Sequence, residues 1–114
     1  MGDHDAAQKF YVSALKIAPG EPSVLSNLGL SYALTKKLPQ AEQALRQAAQ
    51  SPRADARVRQ NLSLVLALQG KFQEAEDVQR VDASPEQAAA TVASIRQMIA
   101  QSDAWRRLQQ PVAR

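Results

Sequence analysis

Few side chains in this sequence belong to the types that enzymes use as nucleophiles or metal ligands. There is no cysteine and one histidine, His4, so thiolate chemistry is excluded and histidine-based catalysis has almost nothing to work with. Acidic pairs such as Glu42 with Glu76 stand among lysines and glutamines, and we interpret them as solvated helix faces rather than glycosidase carboxylates. The four glycines do not cluster into a phosphate-binding loop. We therefore predict a protein without catalytic activity, cofactor or metal site.

Three arginines near the middle of the chain, Arg53, Arg57 and Arg59, could bind an anion. The cluster contains one acidic residue, Asp55, and could anchor an acidic or carboxylate-bearing peptide. The alternative is a solvated helix start, and Arg57 and Arg59 cannot share a helix face because they lie two residues apart. The net charge of +3, with 11 acids among 14 bases, does not indicate nucleic-acid binding. We expect the partner to be a protein or an extended peptide.

The elements that position these residues are predicted to be helices. The chain has 21 alanines, 14 glutamines and 12 leucines but only three isoleucines and two threonines, a composition typical of helical proteins. All six prolines stand between or at the edges of segments with helical periodicity. No apolar run approaches the ~20 residues of a membrane span. We predict a small, soluble, all-α protein with helices at about residues 3–17, 23–35, 39–50, 54–69, 72–80 and 85–101.

The sequence repeats itself at a period of 34 residues. Segments 27–42 and 61–76 are identical at eight of sixteen aligned positions. Two helices per 34 residues resemble the tetratricopeptide repeat (TPR) family. Seven residues occupy that family's signature positions: Leu25, Leu28, Gly29, Tyr32, Ala41, Leu45 and Ala48. The resemblance implies an all-α TPR solenoid, a right-handed superhelix of antiparallel helix pairs, which acts as a non-enzymatic scaffold for protein binding.

On this register the chain divides into unequal parts within one domain, residues 1–114. We predict a half repeat at 3–19, a repeat at 22–55, a repeat at 56–83 that degenerates at its end, a capping helix at 85–101 and a tail at 102–114. Because the first helix lacks a preceding partner, we infer a missing N-terminal part and expect a homodimer through this helix. The apolar residues that this would leave uncovered are Phe10, Val12, Ala14, Leu15 and Ile17.

The second full repeat departs from the pattern near its end. Arg59 stands where the first repeat has Leu25, and Asp82 stands where it has Ala48, so the helix should fade near residue 80. Ser84 then begins a capping box that starts the last helix. That helix carries an apolar stripe that should cover the open end of the stack, and Trp105 is expected to pack against it. The stripe consists of Ala88, Val92, Ile95 and Ile99.

The resemblance to TPR proteins also implies a concave groove, built from the first helix of each repeat. Asn27 and Asn61 would stand one above the other there, and asparagine amides can bind a peptide backbone regardless of its sequence. The alternatives are that each asparagine only bonds a neighbouring helix and that the leucines beside them are core residues. The candidate peptide-binding residues of the groove are Asn27, Leu30, Leu34, Arg57, Gln60, Asn61, Leu64 and Leu68.

A narrower resemblance covers residues 53–108. The run Arg57 to Glu76, the helix start at Ser84 and the later Trp105 are similar to TadD-type TPR proteins of the tight-adherence (Flp) pilus assembly system of bacteria. The resemblance implies a role in assembling the pilus or its secretin, in a lipoprotein at the periplasmic face of the outer membrane. A signal peptide and lipid anchor would then belong to the missing N-terminal part. The alternative is a generic cytosolic TPR adaptor that binds an extended peptide.

Overall fold

The structure of the chain, a computed structural model, describes the backbone of residues 3–109 and the side chains of residues 3–103. In this range it contains the helices α1 (His4–Ile17), α2 (Pro22–Leu34), α3 (Leu38–Ala49), α4 (Ala56–Leu68), α5 (Phe72–Gln79) and α6 (Pro85–Gln109). All six predicted helices are present, which confirms the all-α fold. The predicted end of the last helix at residue 101 is wrong: the helix runs to Gln109, since the next proline in the sequence is Pro111. No helix among residues 3–109 is long and apolar enough to cross a bilayer.

The helices stack as repeated pairs. Each helix packs on the next one along the chain, and α4 also contacts both α2 and α6. The helices α2, α4 and α6 therefore form a row, in which α3 bridges α2 and α4 while α5 bridges α4 and α6. This arrangement of short, sequential helix pairs is that of a helical-repeat protein.

The closest helix approach within each pair depends on a small residue. A Cβ added at Gly29 on α2 would lie 2.6 Å from Leu45 Cγ and 3.3 Å from the carbonyl oxygen of Ala41 on α3. The equivalent residue on α4, Ser63, is fully buried, and its hydroxyl donates to the carbonyl oxygen of Ala75 at 2.9 Å. Small side chains at this position let the two helices pack closely, as the repeat pattern predicts.

The apolar face of α1 is smaller than the sequence predicts. Phe10, Val12 and Ile17 are exposed, as expected. Ala14 and Leu15 are half-buried, and Leu15 packs against the cluster of Leu25, Ala48 and Val58. The prediction that Leu15 is uncovered is therefore wrong, because it lies on the side of α1 that faces α2.

The turns inside the two repeats have the same backbone conformation. Lys36 after α2 and Gly70 after α4 are equivalent residues, and both have positive φ angles, 63° and 81°. The N–H of Lys37 donates to the carbonyl oxygen of Tyr32 at 2.8 Å, and the α4–α5 turn repeats this bond. Both helices thus end in a Schellman motif, which favours glycine at the left-handed residue. The first repeat places a lysine there instead.

A polar side chain on the preceding helix holds each turn. Gln8 on α1 is buried, and its amide donates to Ser31 Oγ at 3.3 Å and to Thr35 Oγ1 at 3.1 Å. Lys37 Nζ donates to the side-chain oxygen Oε1 of Gln8 at 3.5 Å. Glu42 on α3 occupies the same repeat position, 34 residues further on. The first turn is thus held by a neutral group and the second by a carboxylate.

Glu42 accepts hydrogen bonds from three side chains. Lys71 Nζ and Gln69 Nε2 each donate to it at 2.8 Å, and Arg46 Nε donates at 2.7 Å. Partial burial acts to raise the pKa of Glu42, but the donors Lys71, Arg46 and Gln69 outweigh it and lower the pKa to about 2. The prediction that Glu42 lies on a solvated helix face is wrong, because the next repeat's turn covers all but 14% of the side chain.

Two of the departures from the repeat pattern, Arg59 and Asp82, compensate each other. Leu25 and Ala48 lie in one apolar cluster of the first repeat. Their equivalents in the second repeat, Arg59 and Asp82, form a bidentate ion pair with N–O distances of 2.7 and 2.9 Å. The ion pair ties α4 to the segment between α5 and α6, and α5 ends at Gln79, which confirms the predicted fading near residue 80.

The helix α6 covers the far end of α4 and α5. Its N-terminus has the predicted capping box: the Gln87 N–H donates to Ser84 Oγ at 3.1 Å, and the Ser84 N–H donates to Gln87 Oε1 at 3.2 Å. Ala88 and Val92 are buried, and Val92 belongs to the main apolar cluster. The predicted contact of Trp105 lies outside the described side chains.

Candidate peptide-binding face

The eight predicted groove residues lie on α2 and α4, and most of them reach solvent. On α2, Asn27 is exposed, Leu30 is half-buried and Leu34 is 69% exposed. On α4, the exposed residues are Arg57, Gln60, Leu64 and Leu68, while Asn61 is half-buried. Positions i, i+4, i+7 and i+11 share one helix face, so both helices present these residues as a stripe.

An apolar cleft lies between α4 and α6. It has a volume of about 500 Å³, and two of the predicted residues, Leu64 and Leu68, lie in its wall. The helix α6 contributes the other long apolar side chains, and α2 and the α2–α3 turn close one end. The lining residues of this α4–α6 cleft are Ala33, Lys36, Leu38, Leu64, Leu68, Ile95, Met98, Ile99, Ser102 and Asp103.

The sequence predictions missed the contribution of α6 to this cleft. Its stripe was interpreted as the buried face of a capping helix, and Ile95 does pack against the core. Met98 is 59% exposed, however, and Ile99 is only half-buried, so the C-terminal half of the stripe lines open space. Met98 flanks the stripe in the sequence, but its exposure depends on how α6 packs on α4, which no local pattern encodes.

A polar hollow of about 360 Å³ lies where α2 and α4 begin. Arg57 and Asn27 meet in its lining, beside Ser23 and Ser26. Arg57 makes no ion pair with any residue that the structure describes. It is thus the one of the three clustered arginines with an unused charge in the described part of the chain, because Arg53 and Arg59 both have acidic partners.

The two asparagines have different surroundings. The Asn61 amide donates to Ser26 Oγ at 3.2 Å and so links α4 to α2. The equivalent Asn27 is exposed, and within residues 3–103 its side chain has no hydrogen-bond partner. Asn61 therefore has a packing role in the fold, and Asn27 is free to bind. Whether either one contacts a peptide stays a prediction.

The remaining predicted residues point to a third region. Leu30 and Leu34 line a shallow groove of about 290 Å³ between α1 and α2, and Asn27 also borders it. Gln60 is exposed on α4 and lines none of the three hollows. The predicted residues thus form one stripe on two helices. The stripe borders three hollows whose lining residues differ in polarity. No three metal-ligating side chains come together in the residues that the structure describes.

A row of short helix pairs with solvent-facing apolar and polar hollows defines a helical-repeat protein of the protein-binding class. A family model for the tetratricopeptide repeat matches residues 1–64, more than half of the chain, so the chain belongs to the TPR family. No curated protein matches it significantly. TPR domains are interaction scaffolds that typically lack catalytic activity, and no catalytic family matches the chain.

Proposed function

We propose that this TPR protein is a non-enzymatic scaffold that binds an apolar peptide segment in the α4–α6 cleft. The observation that carries the proposal is the exposure of long apolar side chains on both walls of the cleft: Leu68 is 41% exposed on α4 and Met98 is 59% exposed on α6. Contiguous exposed apolar surface on a soluble domain commonly marks a binding site. A peptide side chain that enters the cleft removes apolar surface of both partners from water.

The charges along the same face favour an acidic ligand. Lys36 borders the cleft together with Asp103, and Arg57 borders the polar hollow at the other end of α4 together with Asp55 and Glu21, of which Glu21 is paired with Arg53. Neither cation has an ion-pair partner among the described residues. A peptide with apolar residues in the cleft and acidic residues near Lys36 and Arg57 would match both features.

A selection from a random-peptide display library on the whole chain tests this function. We expect enrichment of peptides that combine large apolar residues with Asp or Glu. Met98→Asp should remove their binding, because it places a charge in the cleft wall. Val81→Asp is the matched control, since Val81 is 68% exposed but lies between α5 and α6, outside the cleft lining. A failure to enrich any peptide, or equal binding by the Met98→Asp variant, would contradict the proposal.

We further propose that the bound segment belongs to the assembly apparatus of a tight-adherence (Flp) pilus, at the periplasmic face of the outer membrane. The support is the resemblance of residues 53–108 to TadD-type proteins, a segment that includes both walls of the cleft. Co-purification from envelope fractions with the pilus secretin, lost on Met98→Asp, is the expected result. Recovery of the protein in the cytosol, bound to unrelated proteins, would favour the alternative of a cytosolic adaptor.

The exposed side of α1 supports a homodimer as a separate proposal. Phe10, Val12 and Ile17 present apolar side chains to solvent on one helix. An isologous contact between two such helices would cover them. Sedimentation equilibrium should then give a dimer that Phe10→Asp dissociates. A monomer at millimolar concentration would contradict this proposal without affecting the peptide-binding function.

A further inference from the structure

A basic hollow of about 630 Å³ lies between α1 and the turn that follows α2. Its charged lining residues are Lys9, Lys16, Lys37 and Asp5, so the lining carries a net positive charge. We propose that the basic hollow binds an acidic segment of a partner protein, with one carboxylate of that segment at Lys37. The hollow shares no lining residue with the α4–α6 cleft. The inference therefore does not depend on the proposed function.

The first argument is that the chain itself places a carboxylate at the equivalent position of the next repeat. Lys71 is the equivalent of Lys37, and its Nζ donates to Glu42 Oε1 at 2.8 Å. The residue equivalent to Glu42 in the first repeat is Gln8, so Lys37 faces a neutral amide oxygen instead of an anion. A carboxylate from a partner would give Lys37 the charge-assisted hydrogen bond that Glu42 gives Lys71.

The second argument is that Lys37 is held in place before any ligand binds. The buried Gln8 directs its amide nitrogen to Ser31 and Thr35, which leaves its Oε1 to accept from Lys37 Nζ at 3.5 Å. The same Nζ lies 5.9 Å from the centre of the Tyr32 ring. An ammonium group has three donors, so two are left for a ligand. A side chain that is already positioned loses less conformational entropy on binding.

The third argument is the arrangement of the other charges. Lys9 and Lys16 are seven residues apart, so they share one face of α1, and both are exposed. Neither makes an ion pair within the described side chains. Asp5 lies at the same hollow. A nucleic acid or an anionic membrane would bring phosphates close to Asp5 as well as to the lysines, whereas a peptide can place its carboxylates at the lysines alone.

The exposure of this face does not depend on a missing neighbour. The residues of α3 at the positions of Lys9 and Lys16 are Gln43 and Gln50, and both are exposed. The helix α3 packs against α2 on one side and α4 on the other. This face of the second helix of a repeat thus stays open to solvent even where helices pack on both sides.

The experiment uses two labelled ten-residue peptides, (Glu-Gly)5 and its neutral counterpart (Gln-Gly)5, which lack apolar side chains for the α4–α6 cleft. Fluorescence anisotropy with the whole chain, at low ionic strength because salt screens exposed charges, should show saturable binding of the glutamate peptide alone. Lys37→Gln should weaken this binding about 3- to 10-fold. Lys36→Gln and Arg57→Gln are the control variants, because these cations border other hollows, and each should change binding less than twofold.

A second variant places a competing carboxylate in the hollow. Ser13 is exposed and lines the hollow between Lys9 and Lys16, four residues after the first and three before the second. Ser13→Glu should therefore pair with these lysines and weaken peptide binding about 3-fold or more. Gln97→Glu, at an exposed position of α6, adds the same charge far from the hollow and should change binding less than twofold.

Four results would overturn the proposal. The first is no saturable binding of (Glu-Gly)5, and the second is equal binding of (Gln-Gly)5. The third is binding that depends on Lys36 or Arg57 and not on Lys37, which would assign the acidic peptide to the face of the α4–α6 cleft. The fourth is binding of a labelled ten-residue oligothymidylate, or of phosphatidylglycerol vesicles, as tightly as the peptide and with the same loss on Lys37→Gln. That result would show a general polyanion surface.

Discussion

Leu30 and Leu34 on α2 occupy the same repeat positions as Leu64 and Leu68 on α4, yet the two pairs lie in different surroundings. Leu64 and Leu68 face α6 across a cleft of about 500 Å³. Leu30 and Leu34 line a shallow groove of about 290 Å³ beside α1. A repeat position thus supplies an apolar side chain, and the neighbouring helix determines the volume and lining of the site to which that side chain belongs.

The turns of the two repeats differ in a second way. Gln8 holds the α2–α3 turn with a neutral amide, and Glu42 holds the α4–α5 turn with a carboxylate that binds two cations. The backbone of the two turns is the same. The same turn geometry is therefore stabilised by a neutral side chain in one repeat and by a carboxylate in the other. The stability of the α4–α5 turn should thus depend on pH.

The largest effect is expected on removing the charged centre of the second turn. Glu42→Ala leaves Arg46 and Lys71 without their shared acceptor and should lower the free energy of unfolding by about 2–3 kcal/mol, measured by urea denaturation. Glu76→Ala is the matched control, because Glu76 occupies the same repeat position but, within the described side chains, its carboxylate pairs with Arg80 alone, at 3.9 Å. It should cost about 0.5 kcal/mol or less. Equal losses would show that Glu42 does not hold the turn.

The second-largest effect is expected on changing the small residue at the contact within each helix pair. Gly29→Ala places a Cβ 2.6 Å from Leu45 Cγ, and we expect a loss of about 1–2 kcal/mol in thermal or urea unfolding. Ser63→Ala keeps the volume small and removes the bond to the Ala75 carbonyl, at a cost of about 1 kcal/mol. If Gly29→Ala stabilised the chain, as the helix propensity of alanine alone predicts, the close approach of α2 and α3 would be refuted.

A fall in pH should weaken the stabilisation of the α4–α5 turn by Glu42 and leave that of the α2–α3 turn by Gln8 unchanged. The pKa of Glu42 is lowered from 4.5 to about 2 in the folded chain, so its stabilisation is fully present above pH 4.5 and is lost as the pH falls from about 4.5 to about 2. Glu42→Gln should be about 1–2 kcal/mol less stable than the unmodified chain at pH 7, since the half-exposed cations weaken the effect. The difference should vanish near pH 2. The cost of Gln8→Ala should stay constant between pH 5 and 2, and a Glu42→Gln difference that did the same would contradict the assignment.

The smallest effect is expected at the left-handed residue. Lys36→Gly makes the first turn like the second, where Gly70 has the same positive φ, and should stabilise the chain by about 0.5–1 kcal/mol. Gly70→Ala should destabilise it by a similar amount. The two melting temperatures should therefore move in opposite directions. A fall with Lys36→Gly would mean that Lys36 makes contacts that outweigh its backbone strain.

The sequence predicted the helices and their period because these depend on local patterns. The identical residues at 27–42 and 61–76, the capping box at Ser84 and the weakened end of the second repeat were all visible in the chain itself. The contacts between the helices were not visible in the sequence. Glu42 and Glu76 look alike in sequence, and only the packing of the next turn onto Glu42 makes it an acceptor shared by Lys71, Gln69 and Arg46.

For the candidate site too, the sequence predicted what local patterns determine and not how the helices pack. Periodicity put the eight groove residues on one face of two helices, but it could not show that six of them line three separate hollows while Gln60 and Asn61 line none of the three. The amides of Asn27 and Asn61 occupy the same repeat position, and within residues 3–103 they differ because Asn61 bonds Ser26 on α2 while Asn27 has no such partner. The α6 wall of the cleft depends on how the last helix packs, which no local pattern encodes.

The equivalent leucines Leu34 and Leu68 allow a matched test of peptide binding in the α4–α6 cleft. Isothermal titration calorimetry would compare a peptide from the display selection on the unmodified chain, on Leu68→Asp and on Leu34→Asp. Leu68 borders the cleft, whereas the more exposed Leu34 borders the α1–α2 groove. We predict that Leu68→Asp weakens binding about 10-fold or more and that Leu34→Asp changes it less than about twofold. Equal weakening by the two variants, or a larger effect of Leu34→Asp, would contradict the account.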